Sequence, residues 1–257
     1  MLLKRIFYAG LVLISILFTA VVVRLGWSTE EKKVDPSISQ TEATPDTATI
    51  IGTVKFEGDA PFRRAINFGA NLDCKRLHDG KVHYEDVVIN ENDTLKDTLV
   101  YVRGKPKGDY KPSTKPVVVD QVGCIFIPHV AAVMVGQPME FLNSDPALHN
   151  IRTESKKQTP FNISQPNTGM KYTHQFEAAE IGIPLRCDVH HWMVAYAHVL
   201  SHPFFAVTGE EGTFKIQGLA PRTYNIEAWH SKLGAQKQKI TLEAGETKTV
   251  DFVFTDE

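Results

Sequence analysis

Seven consecutive residues, Cys187-Asp188-Val189-His190-His191-Trp192-Met193, put a thiol, two imidazoles and a thioether on one short stretch of chain. Within it Cys187, His190 and Met193 have the spacing C-x2-H-x2-M, and a further imidazole stands upstream in the pair His149-Asn150. Sulfur donors are soft and favour Cu(I), while imidazole suits copper in both oxidation states. Two His, one Cys and a weak axial Met are therefore the donor set of a blue-copper electron-transfer site, at which a metal ion can cycle between the two states.

Short runs rich in Val, Ile, Phe and Thr, broken by Gly, Pro, Asn and Asp, must position these donors, and such runs read as β-strands. Strands are predicted over 49–56, 84–89, 98–102, 117–119, 124–127, 132–135 and 139–143. Later ones are predicted over 171–176, 184–187, 193–200, 213–216, 224–229, 238–242 and 249–254, with His149 on a strand of its own. A loop-rich stretch leads through Cys74 to His83, and residues 104–116 read as a linker because Pro, Gly and Lys crowd there. Val250, Phe252 and Phe254 alternate as one inward face of the last strand. No helix is expected beyond the N-terminal segment. Many short strands with frequent turns indicate an all-β sandwich or barrel.

Phe126-Ile127-Pro128, Val133-x-Val135-Gly136, Met139-x-Phe141-x-Asn143-x-Asp145 and His149-Asn150 resemble the front half of a cupredoxin. Residues 185–193 resemble its ligand loop, with the short spacing of amicyanin; plastocyanins and azurins have longer loops. The resemblance runs over 117–200 and implies a Greek-key β-sandwich holding one mononuclear type 1 copper. It implies Cys187, His149 and His190 as equatorial ligands, Met193 as the weak axial one, and Asn150 as a brace across to the Cys187 loop. The spacing favours His190 over His191, which would give C-x3-H and leave one residue before Met193. The whole arrangement is similar to exported cupredoxins of the methylamine utilisation type.

The other histidines read as structural. His129 follows Pro128 at a strand edge, His174, His198 and His202 are isolated, and His230 follows Trp229 near a strand end, where packing or capping is expected. Trp192 either shields the metal or covers the core as a loop aromatic. Asn92-Asp93-Thr94 and Asn162-Ile163-Ser164 match a glycosylation acceptor by composition alone.

Val207-Thr208-Gly209-Glu210-Glu211-Gly212-Thr213-Phe214 and Leu219-Ala220-Pro221-Arg222-Thr223-Tyr224 resemble a carboxypeptidase regulatory-like, transthyretin-like sandwich. Arg222 stands where that family usually has Gly, which favours a type I over a type II turn. Ile51-Gly52-Thr53-Val54 resembles the opening strand of the same module. Residues 49–102 and 205–254 are thus expected to form one sandwich with the cupredoxin inserted between them. The alternative is an N-terminal extension plus a small C-terminal module. The chain divides into 1–27 as membrane anchor or signal segment, 28–47 as flexible tether, 48–116 as an N-terminal β region, 117–200 as the cupredoxin and 201–257 as the regulatory-like β domain.

Lys4 and Arg5 precede an uncharged apolar run over 6–23, which as a helix comes close to spanning a bilayer core. A cleaved signal peptide usually has a shorter apolar region, roughly 7 to 15 residues, and a small-x-small site that is not evident here. The basic residues argue for an N-terminus inside the cell and a head on the extracytoplasmic, or periplasmic, face of the membrane. Cys74 and Cys124 form an even pair in a chain that reads as exported, where disulfides are permitted. Bridging them contributes up to about 4 kcal/mol; two separate buried thiols are the other reading.

The function expected is a membrane-tethered carrier of single electrons between protein redox partners. The alternatives are copper delivery or storage, and a structural surface module with an incidental metal site. The formal net charge of -2 gives no reason to expect nucleic acid as a partner. An enzyme is not expected: the further His-x-His ligands of a multicopper oxidase are absent, position 191 is His where a dinuclear copper site needs Cys, and the second copper site of a nitrite reductase is not evident. No Ser-His-Asp grouping, P-loop or dinucleotide motif appears.

Overall fold

The computed structural model describes residues 44–256. The predicted membrane segment and most of the predicted tether lie outside the described residues. Among the described residues no helix is long and apolar enough to cross a membrane.

The chain begins with β1 (Ala48–Glu57), passes through a single-turn helix α1 (Leu72–Arg76), and continues as β2 (Leu99–Val102) and β3 (Val117–Val122). Then come β4 (Ile125–Ile127), β5 (Val130–Met134), β6 (Pro138–Asn143), β7 (His149–Thr153), β8 (Asn162–Gln165) and β9 (Lys171–Gln175). The rest is β10 (Glu180–Arg186), β11 (Val194–Leu200), β12 (Phe205–Val207), β13 (Thr213–Leu219), β14 (Thr223–His230), β15 (Gly234–Thr241), β16 (Thr247–Thr249) and β17 (Phe252–Thr255). The described residues are nearly all β, as the alternation of apolar residues predicts, with the single-turn α1 as an exception that the pattern does not predict.

Two pairs of sheets divide the strands. The order β5-β11-β10-β7-β8 makes one sheet and β4-β3-β6-β9 a second. Both contribute side chains to one core, among them Val119, Phe126, Phe141, Ile151, Leu185 and Ala197. The order β12-β2-β14-β15 makes a third sheet, and β1 pairs with β13, β16 and β17 in the fourth. Their shared core includes Ile50, Val54, Val100, Ile226, Phe252 and Phe254. Strands from both ends of the chain thus interleave: β2 lies between β12 and β14, and β1 between β13 and the parallel strands β16 and β17. Leu99, Met134, Leu200 and Phe205 are buried together in a smaller cluster.

The predicted strand over 84–89 does not form. Only isolated bridges occur nearby, at Ala65–His83 and Ile89–Leu95, and every residue of 84–89 is half-buried instead of alternating. The segment covers a surface without joining a sheet. Conversely, β8 is a strand of polar residues with one half-buried apolar position, Ile163, so it carries no apolar alternation for the eye to find.

Candidate metal centre

The antiparallel pairing of β10 with β11 sets Arg186 opposite Val194, so residues 187–193 are the loop joining two neighbouring strands. The main chain closes that loop on itself: the Cys187 N–H donates to the Met193 carbonyl at 3.4 Å, and the Met193 N–H donates to the His190 carbonyl at 2.9 Å. On the other side of β10, β7 runs antiparallel with Arg152 opposite Arg186, which brings the start of β7, His149 and Asn150, beside the loop.

His149, Cys187 and His190 each present one donor atom, and these atoms lie within 4.8 Å of one another. The two Nδ1 atoms of His149 and His190 face each other at 2.9 Å. The Cys187 sulfur lies 3.9 Å from the His190 Nδ1. The group is removed from water, with exposures of 0% for His149, 3% for Cys187 and 3% for His190. Met193, which ends the loop, is buried as well.

His149 and the Cys187 end of the loop are held from behind. His149 turns its Nε2 to Asp145, 2.9 Å from Oδ2. Asp145 in turn accepts the backbone N–H of Gly123 at 2.6 Å and that of Cys124 at 2.7 Å. A carboxylate behind an imidazole fixes the ring's orientation and raises its basicity as a ligand. Asn150 lies where the sequence reading expects a brace: its Oδ1 accepts the Asp188 N–H at 2.7 Å and faces the Cys187 sulfur at 3.3 Å. Asp188 is clamped further by Arg152 Nε at 2.7 Å and Asn162 Nδ2 at 2.8 Å.

This arrangement reshapes the acid–base chemistry. Burial pushes the Cys187 thiol up, but hydrogen bonds involving His149, His190 and nearby backbone groups outweigh it and bring it from 9.0 to about 6. Burial also pushes His149 down, yet its bonds to Asp145 and Cys187 win and hold it above its ordinary value. Burial raises Asp145, and its hydrogen bonds from His149, Cys124 and Gly123 more than reverse that, keeping it below the usual carboxylate range. The site is therefore disposed to hold a thiolate, which is the form of cysteine that binds metals.

Cys74 and Cys124 are joined by a disulfide with an S–S distance of 2.05 Å. Cys187 is the remaining, free cysteine. Trp192, within the loop, donates its indole N–H to the Cys124 carbonyl at 3.0 Å and meets Phe68 edge-on, so it covers the core. His191 is exposed. The remaining histidines lie elsewhere. The Nδ1 of His198 accepts from the Gly182 N–H at 3.0 Å, that of His202 from Phe204, and that of His230 from Lys232 and Leu233. His174 packs among Phe161, Tyr172 and Phe176, and His129 against Tyr196.

Sequence reasoning missed the parts played by Asp145, Asp188, Arg152 and Asn162. Asp145 enters the sequence reading only as the end of the Met139-x-Phe141-x-Asn143-x-Asp145 pattern, although its place four residues before His149 points to a partner for that ring. Asn162 was noted only within a glycosylation match; its amide is engaged with Asp188 and Asn150.

No family model and no curated protein matches the chain. Solved structures do match in part. The Cu-containing nitrite reductase of Thermus scotoductus SA-01 is 23% identical with a TM-score of 0.31, over 37% of this chain and 25% of that one. This chain therefore spans about a quarter of the reductase's length. A purple cupredoxin from Nitrosopumilus maritimus is 27% identical with a TM-score of 0.26, over 29% of this chain and 81% of its own. A reduced point mutant of amicyanin is 17% identical with a TM-score of 0.30, over 39% of this chain and 97% of its own.

Proposed function

We propose that the chain is a cupredoxin-type electron carrier, not an enzyme, holding one type 1 copper through His149, Cys187 and His190, with Met193 as the weak axial ligand. The observation that carries this reading is the convergence of two imidazole Nδ1 atoms and one buried sulfur. A thiolate with two imidazoles suits copper better than a hard oxygen-seeking ion. Copper bound there would take up and release one electron by cycling between Cu(I) and Cu(II). The chain's contribution is to hold the donors still: Asp145 orients His149, and Asn150 ties Cys187 and Asp188 to β7. Donors fixed before the metal binds rearrange little between its two oxidation states.

Leu148 and Val189, 46% and 43% exposed, stand immediately before His149 and His190. They give a protein redox partner an apolar surface within one residue of the ligands. We read residues 117–200 as inserted into a transthyretin-like sandwich built from the flanking strands, the whole tethered outside the cytoplasm by residues 1–27. The disulfide is in keeping with that compartment.

Copper reconstitution of the full chain tests the reading. An intense blue absorption, one copper per chain and a reversible one-electron couple are expected. Cys187→Ser should abolish the colour, while Met193→Leu should keep copper and shift the potential. A colourless protein, or one that keeps its colour without Cys187, would be incompatible with it.

A further inference from the structure

We propose that Cys74, Cys124 and His190 form a second copper(I) site, which exists only when the disulfide between the two cysteines is reduced. The two ring nitrogens of His190 face different groups. Its Nδ1 points to His149 and Cys187, whereas its Nε2 lies 3.4 Å from the Cys74 sulfur. The donor atoms of Cys74, Cys124 and His190 fall within 4.8 Å of one another, and all three residues are buried. While the disulfide is closed, its sulfurs are poor donors. Opened, they become two thiolates that with one imidazole make a soft set suited to Cu(I).

The surroundings hold the two halves of this pair differently. The Cys124 N–H is bound by Asp145, and its carbonyl accepts the Trp192 indole N–H, so Cys124 stays anchored when the bond to Cys74 opens. Cys74 sits on α1, where Leu72, Asp73, Lys75 and Arg76 are all exposed. The stretch around α1 joins no sheet. The Ile66–Val82 and Tyr84–Arg64 backbone bonds close it on itself, and its ties to the rest include a 2.7 Å contact from His78 Nε2 to the Gly123 carbonyl and the buried Phe68 packed edge-on against Trp192. Cys74 is buried in the core with Phe68, so a small dithiol reductant reaches the sulfurs when this stretch opens locally.

The chemistry balances. A dithiol attacks the disulfide, the S–S bond breaks, two electrons pass to the cysteines, and the reductant leaves as its own disulfide. Both cysteines end as thiols. Binding of Cu(I) then releases the two thiol protons and leaves the metal's oxidation state unchanged.

The test uses the full chain with Cys187→Ser, so that its failure is distinguishable from failure of the electron-carrier reading: in this variant the first donor set has lost its thiolate, and the oxidised chain reports what His149, His190 and Met193 still bind. Anaerobic treatment with a dithiol, removal of the reductant, and titration with Cu(I) against a chromophoric Cu(I) chelator give the stoichiometry and affinity. The reduced chain should hold one Cu(I), tighter than the oxidised chain by about 100-fold or more, as expected when two thiolates replace a disulfide. Adding His190→Gln should weaken that binding by about 10-fold or more, the scale of losing a metal-site partner. Far-ultraviolet circular dichroism should stay native throughout. Three results would overturn the proposal: a disulfide that resists the dithiol in the folded chain, reduced protein that binds no better than oxidised, and binding indifferent to His190. The last is also what thiols on an unfolded chain would give.

Discussion

Cys187 is the residue on which the candidate centre turns, and its protonation is open to direct measurement because the other two cysteines are bridged. Ultraviolet thiolate absorbance of the metal-free, disulfide-intact chain should titrate with a midpoint of about 6 instead of 9.0. His149→Gln should move the midpoint upward, since hydrogen bonding to His149 heads the effects that lower it. A wild-type midpoint near 9.0 would mean that the thiolate is not held by the imidazoles. Stability is a poorer readout than absorbance here. The Cys187 value is depressed on folding, so its stabilising contribution is complete above 9.0 and is lost as pH falls through about 6. His149 is raised on folding, so its contribution is complete below 6.5 and is lost as pH rises through its folded value. The two run in opposite directions. At this scale the candidate loop was legible because its possible donors are compressed into seven residues, whereas the contact between Cys74 and His190 spans 116 positions and left no local trace.

Between β3 and β4, residues Gly123 and Cys124 form a turn that serves several elements at once. Gly123 has φ of +65°, and a Cβ there would meet His78 Cε1 at 2.5 Å and Nε2 at 2.8 Å. Gly123→Ala should therefore cost the left-handed strain of about 1–2 kcal/mol plus the displaced His78 contact, a total of about 2–3 kcal/mol by chemical denaturation. Gly80→Ala, where an added Cβ meets nothing within 4 Å, should stay within about 0.5 kcal/mol. Equal losses at the two positions would show that the close approach does not matter. Elements with strong apolar alternation, such as β6 and β17, were legible because burial follows a period of two along them. The five residues of α1 are too few for a helical period to show, and β8 is too polar for a strand period. Residues 84–89 have strand-like composition but no partner strand, and sequence composition does not say whether an edge is available.

At the scale of the whole molecule, the order of strands in space departs from their order in the chain. β1 ties the N-terminal part to β13, β16 and β17, and β2 ties it to β12 and β14. A Cβ at Gly52 would run into the Val250 carbonyl, so β1 and the chain entering β17 meet without room for a side chain. The chain leaves the sheet β12-β2-β14-β15 after β2 and returns to it at β12, next to the buried cluster of Leu99, Met134, Leu200 and Phe205. Both cores therefore share a boundary that neither can lose alone without exposing apolar surface. Cooperative unfolding follows from this. Phe254→Ala, in the core built on β1 and β17, should cost about 3–5 kcal/mol as a large cavity does. It should also lower the denaturant midpoint at which Cys187, in the other core, becomes open to an alkylating reagent, in step with the loss of far-ultraviolet circular dichroism. A Cys187 midpoint that stays at the wild-type value while the dichroism splits into two transitions would show instead that the cores unfold independently, with the candidate metal centre standing on its own sandwich.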